Sequence, residues 1–100
     1  MINLKKLQKE IFKNKLNKGF NTNDINKEFC FTYAELSEAY DAYRKKKDDL
    51  GEELADVAIY LMGLSEMLEI NLEDEISKKI AKNEKREYKN IDGVNIRTKG

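Results

Sequence analysis

Apolar residues fall at helical spacing along four stretches of this chain, and residues that start or stop helices fill the gaps between them. Leu4, Leu7 and Ile11 form one stripe, with Phe12 and Leu16 beside it. Residues 3 to 17 therefore read as a helix capped by Asn3 and ended by Gly19. Its lysines lie mostly outside the stripe and read as solvated surface. Asn21-Thr22-Asn23-Asp24 reads as a turn and a second helix start. Tyr33, Leu36, Tyr40 and Tyr43 then recur at +3, +4 and +3. That spacing predicts a helix from Asp24 or Ile25 to Lys46 with these four as its core stripe. Arg44 to Lys47 suit its C-terminus, where the macrodipole favours cations. Asp49-Leu50-Gly51-Glu52 has the spacing of a capping box and opens a third helix. Leu50, Leu54, Val57, Leu61, Leu64 and Leu68 step by 4, 3, 4, 3, 4. This is the most regular apolar period in the chain and marks the helix expected to pack deepest. Gly63 within it costs about 1 kcal/mol relative to Ala, and is expected to let a neighbouring helix come close or, as the lesser alternative, to leave room for a ligand. Asn71-Leu72-Glu73-Asp74 caps a fourth helix with core positions Leu72, Ile76 and Ile80. The pattern predicts an all-α fold, an antiparallel bundle of about four helices over residues 1–88. Residues 89–100 follow as a tail, turn or extended.

Composition adds constraints. One hundred residues fit one domain, and so short a chain buries a modest core that oligomerisation often completes. Charged residues reach 38% and apolar ones 40%, as in amphipathic helices. No stretch approaches the ~20 apolar residues that span a bilayer. The first residues lack the apolar run of a signal peptide, so a cytoplasmic protein with no membrane partner is expected. Cys30 is the single cysteine, which excludes an internal disulfide and reads as a small buried hydrophobe. There is no His, which removes the usual zinc ligand and the usual neutral-pH base.

The net charge is zero but unevenly spread. Residues 48 to 75 hold ten acids and no base, whereas residues 76 to 100 hold eight bases and three acids. A nucleic-acid binder would usually be basic overall. An acidic centre flanked by bases suits cation and phosphate binding instead; helices that complement one another's charge are the plainer account.

Two acidic pairs bring the chemistry into focus. Glu35 with Glu38, and Glu53 with Asp56, are each spaced i, i+3, which puts both side chains of a pair on one helix face. Two such helices side by side would offer four carboxylates to one or two ions, and Mg²⁺ takes oxygen ligands of this kind together with substrate phosphates. A single such pair is usually a solvated face; two, each set in an apolar helix, are less common. There is no Walker A loop, dinucleotide fingerprint or zinc spacing, so phosphate would have to be held by metal and side chains.

The residues around these pairs resemble the MazG-like all-α nucleoside triphosphate pyrophosphohydrolases, which carry E-E-x-x-E and, after a variable gap, E-x-x-D. Ala34-Glu35-Leu36-Ser37-Glu38 matches the first motif with Ala34 in place of its leading Glu, and Glu53-Leu54-Ala55-Asp56 matches the second. Asp41-Ala42 and the run Val57 to Leu61 resemble the flanks, and the likeness covers about residues 30 to 88. The resemblance implies that Glu35, Glu38, Glu53 and Asp56 bind Mg²⁺, with Mn²⁺ able to substitute. It also implies that Lys79, Asn83 and Arg86, spaced +4 and +3, contact substrate phosphates; by themselves they read equally as a solvated basic helix end.

The expected reaction is Mg²⁺-dependent hydrolysis of an NTP or dNTP to the monophosphate and pyrophosphate, which fits nucleotide-pool house-cleaning. Glu38 is the candidate base, and Lys79 and Arg86 are the candidate stabilisers of phosphate charge. Phe12, Phe29, Phe31 and Tyr33 are candidates for a wall against the base, and equally for core. The implied partners are the nucleotide and a second copy of the chain, as homodimer or homotetramer. The competing reading is a non-enzymatic helical oligomerisation module, which explains the heptad stripe but not four carboxylates edging two buried faces.

Overall fold

A computed structural model describes residues 2–99. Four helices, α1 (Leu4–Lys18), α2 (Ile25–Arg44), α3 (Leu50–Met67) and α4 (Leu72–Glu84), precede a hairpin of strands β1 (Glu87–Ile91) and β2 (Val94–Lys99). The expected all-α fold is observed, with the tail folded back on itself as this small hairpin. Its strands pair antiparallel around Asp92-Gly93, with Ile91 opposite Val94. Both turn residues have positive φ, as the tight turn of a twisted hairpin demands. No helix is long and apolar enough to cross a membrane among the described residues.

Local chemistry sets most helix ends. Asn3 accepts from the Lys6 amide at 3.1 Å, Asp24 from the Lys27 amide at 3.0 Å and Asn71 from the Asp74 amide at 3.2 Å. Each satisfies an amide that the helix leaves unpaired. Gly19 ends α1 at φ 71°, a left-handed cap that glycine adopts without strain. The capping box expected at Asp49 does not form, and Asp49 makes no side-chain cap bond. The connection from α2 is too tight for it: Lys46 turns left-handed at φ 54° and the Lys47 amide bonds back to the Ala42 carbonyl.

α3 is the central helix, packed against α2 and against α1, while α4 packs chiefly on α1. Gln8 clamps this last corner. Its amide donates to Glu66 Oε1 and to the Ile70 carbonyl, and its oxygen accepts from the Leu72 amide. Glu73 accepts from the Leu4 amide at 3.0 Å, at the positive end of α1. Gly63 does permit close approach: a Cβ there would sit 3.3 Å from Lys15 Cδ and 3.6 Å from Ile11 Cγ2.

The core is thin, and several expected core positions are not in it. On α2 the buried residues are Glu28, Ala39 and Ala42. The stripe of Tyr33, Leu36, Tyr40 and Tyr43 is 54–72% exposed. The side of α2 that is covered carries these small alanines, and its large apolar residues face outward. On α3 burial concentrates at Met62, Gly63, Leu64 and Ser65, while Leu54, Leu61 and Leu68 of the heptad stripe are exposed. Ile76 and Ile80 of α4 are exposed too, and Leu72 alone of its three expected core positions is half-buried. Cys30, expected inside, is on the surface. Periodicity finds a helix's apolar face but not whether the same protomer covers it.

Candidate metal centre and the groove beside it

The tight connection between α2 and α3 runs the two helices back along each other, bringing the end of α2 against the start of α3. Carboxylate oxygens of Glu35, Glu38 and Glu53 come within 4.8 Å of one another. Asp56 lies outside that group, but its charge acts on both Glu35 and Glu53. Glu35 and Glu53 are half-buried, and Glu38 and Asp56 are exposed. Burial, then the charges of Glu38 and Asp56, raise the Glu35 carboxyl above its ordinary value. Glu53 is raised by burial and then by Asp49, Glu38 and Asp56, with Lys47 opposing. Glu53 Oε2 is sealed from solvent and has no hydrogen-bond partner. An acceptor so placed is costly unless a cation or donor meets it.

Lys79, Asn83 and Arg86 come from a part of the fold that packs chiefly on α1 and not on α2. They sit on α4 and just past its end, on the helix that packs against α1. Neither Lys79 nor Arg86 is among the charges that act most on the carboxylates. Lys79 and Asn83 are exposed; Arg86 is half-buried, donates from Nη1 to Asn83 Oδ1 at 3.1 Å, and keeps a buried Nε without a partner.

A second polar feature escaped the sequence reading. Lys15 of α1, expected on the surface, is buried and ion-paired with Glu28 of α2, itself only 1% exposed. Glu28 Oε1 also accepts from Asn21 Nδ2 at 3.1 Å. The pair borders a groove of about 540 Å³ walled by Phe20, Phe31, Ile59 and Tyr60. Of the four aromatics weighed as a wall, only Phe31 lines it. The available signal was spacing: Glu28 precedes Glu35 by seven residues, two turns along one face. Tyr60 likewise follows Asp56 by one turn, and burial followed by the charges of Glu35, Glu28, Asp56 and Glu38 raises its phenol above the ordinary value. The groove and the carboxylates are therefore neighbours along the same two helices.

The MazG nucleotide pyrophosphohydrolase domain matches this chain over residues 21–90. The chain belongs to the MazG family. Comparison with curated proteins and with solved structures finds no match. The MazG match takes in α2, α3 and α4 with all four acidic positions, and begins after α1, so Lys15 lies outside it. Membership implies nucleotide pyrophosphohydrolase activity, and the family generally acts on nucleoside triphosphates with a divalent metal.

Proposed function

We propose that this MazG domain hydrolyses a nucleoside or deoxynucleoside triphosphate to the monophosphate and pyrophosphate with Mg²⁺, Mn²⁺ being able to stand in. The observation that carries this reading is the convergence of Glu35, Glu38 and Glu53 from two antiparallel helices, with one Glu53 oxygen buried and unpartnered. An all-oxygen, anionic, half-desolvated donor set with no imidazole or thiolate fits a hard cation such as Mg²⁺. Glu35, Glu38, Glu53 and Asp56 would hold it. When bound, the ion neutralises triphosphate charge and lowers the pKa of a water.

The chain's own residues supply the rest. Glu38, exposed at the mouth of the cluster, takes the proton of the attacking water on a carboxylate oxygen. The new bond forms at the α-phosphorus and the α–β anhydride bond breaks, releasing pyrophosphate. Arg86, with its unmet Nε donor, and Lys79 bind the departing phosphates. With α4 packed chiefly on α1 and not on α2, the α4 of a second copy supplies these cations.

Self-association has its own support. The exposed area is 7934 Å², against about 5,900 Å² for a compact monomer of this mass. The radius of gyration is 16.7 Å, against about 13 Å for a compact 100-residue domain. The uncovered stripe from Tyr33 to Tyr43 is what a dimer or tetramer would bury. The deciding experiment is product analysis with a panel of NTPs and dNTPs, with Mg²⁺ and with EDTA. Pyrophosphate release only with metal is expected. A helical oligomer in light scattering that neither cleaves any nucleotide nor melts higher with Mg²⁺ would instead establish the non-enzymatic module.

A further inference from the structure

The hairpin stands apart from the helices. Every residue from 87 to 99 is exposed, and no helix packs across either strand. A lone two-stranded hairpin is marginal in water and needs a further layer on its apolar face. The register supplies such a face. Ile91 lies opposite Val94, and Lys89 opposite Ile96. Cross-strand partners share a face, as do residues two apart on one strand. Ile91, Val94, Ile96 and Lys89 therefore point one way, while Tyr88, Arg97, Asn90 and Asn95 point the other. The three aliphatic side chains are 45–60% exposed. The MazG match ends at residue 90, so the turn and β2 lie outside the matched domain.

A second bare surface runs along α3 and just past its end. Leu54, Leu61 and Leu68 recur every seven residues on one helix face and are 38–53% exposed. α3 carries Glu52, Glu53, Asp56 and Glu66 and no base, whereas residues 85–99 hold five bases and two acids. One surface is aliphatic on an acidic element and the other aliphatic on a basic one, so apolar burial and charge both favour their meeting. Two hairpins facing each other would instead bring two basic elements together. α3 and the hairpin do not pack on each other within the protomer.

We propose that the aliphatic face of the hairpin docks on the Leu54–Leu61 stripe of α3 in a second copy of the chain, and the second copy's hairpin on the first. This rests on the reading that the α4 of a second copy supplies Lys79 and Arg86, and chain order agrees with it. Arg86 leads directly into β1, and Glu53 directly into Leu54. An Arg86 held at the carboxylates of the second copy therefore sets its hairpin beside that copy's Leu54. The exchange is closed and two-fold, so each contact is made twice. The 7934 Å² exposed exceeds the area of a compact monomer by about 2,000 Å², and a dimer burying that much from each chain falls in the obligate range.

The test is a double-mutant cycle on self-association of the full chain, read by sedimentation velocity over a dilution series. Ile96→Ser and Leu54→Ser each alter a side chain that is exposed in the protomer, so the helices should keep their circular dichroism. Each should raise the dimer Kd about tenfold for each of the two symmetric contacts. The two together should raise it little more than either alone, because each substitution removes the other's partner. Pyrophosphate release should fall with the dimer fraction and return at higher protein concentration. If Leu54→Ser melts early, Leu61→Ser takes its place. A wild type that stays monomeric throughout the series, a wild-type Kd in Ile96→Ser, or effects of the two substitutions that multiply would each overturn the proposal. A loss in Ile96→Ser that Leu54→Ser does not share would mean that hairpin pairs with hairpin, and overturns it as well. None of these readouts needs catalysis. If no nucleotide is cleaved, the reaction reading fails and the coupling of Ile96 with Leu54 still decides the docking. If nucleotides are cleaved and Ile96→Ser leaves Kd unmoved, the docking fails alone.

Discussion

Glu28 and Glu35 are the same side chain, two turns apart on α2, and their surroundings are opposite. Glu28 is fully buried, with an ammonium on one oxygen and an amide on the other. Glu35 is half-exposed, with Glu38, Asp56 and Glu53 as its charged neighbours, all acidic. A buried charge that is paired is part of the architecture, because removing its partner strands it. A half-buried charge among like charges is a standing cost, retained where a ligand removes it. Helix spacing places both; only the neighbouring helices make one a clasp and leave the other in a cluster of unpaired acids.

The largest way to break this contrast is to remove one carboxylate at a time in EDTA. Glu28→Ala should cost about 3–5 kcal/mol in urea unfolding, because Lys15 is left buried and alone. Glu53→Gln should cost nothing or stabilise, because it relieves repulsion and keeps the shape. A large loss from Glu53→Gln with little loss from Glu28→Ala would invert the comparison.

Metal addition sharpens it next. Mg²⁺ bound only by the folded state raises the melting temperature. That rise should persist in Lys15→Met with Glu28→Leu, and should largely vanish, along with pyrophosphate release, in Asp56→Asn. An equal rise in wild type and Asp56→Asn would remove Asp56 from the ligand set.

The pH profile gives a smaller effect of fixed sign. Glu35 and Glu53 are raised above 4.5 in the folded chain. Between 4.5 and the raised values the folded state therefore holds more protons than the unfolded one, and stability falls as pH rises. Below 4.5 the carboxyls are protonated in both states and the penalty disappears. In EDTA the melting temperature should carry this downward contribution above pH 4.5, weaker in Glu53→Gln. Identical slopes for the two proteins would mean the cluster does not titrate as a unit.

The smallest effect probes the clasp from the α3 side. Ala at an exposed helix position gains up to about 1 kcal/mol over Gly. Gly51, with nothing near its Cβ, should approach that gain, whereas Gly63→Ala should fall short because the new methyl crowds Lys15. Equal gains at both positions in thermal melts would show that the Lys15 side chain yields freely.

The sequence by itself determined the helices and named the acids. Cap residues and apolar period are local properties, so Asn3, Gly19, Asp24 and Asn71 act where their positions required, and the spacing of Glu35, Glu38, Glu53 and Asp56 set each pair on one face. What only the tertiary structure decided is which face of each helix a neighbour covers. That is why Tyr40 and Ile80 lie outside while Lys15 and Glu28 lie inside. A lysine written among surface lysines carries no mark of burial; the glycine at position 63 and a glutamate on another helix put it there. The Asp49 box failed for the same reason, since the short turn between α2 and α3 imposed its own backbone. Spacing along a chain fixes direction around a helix axis, but burial depends on what arrives from elsewhere in the chain or from a second copy of it.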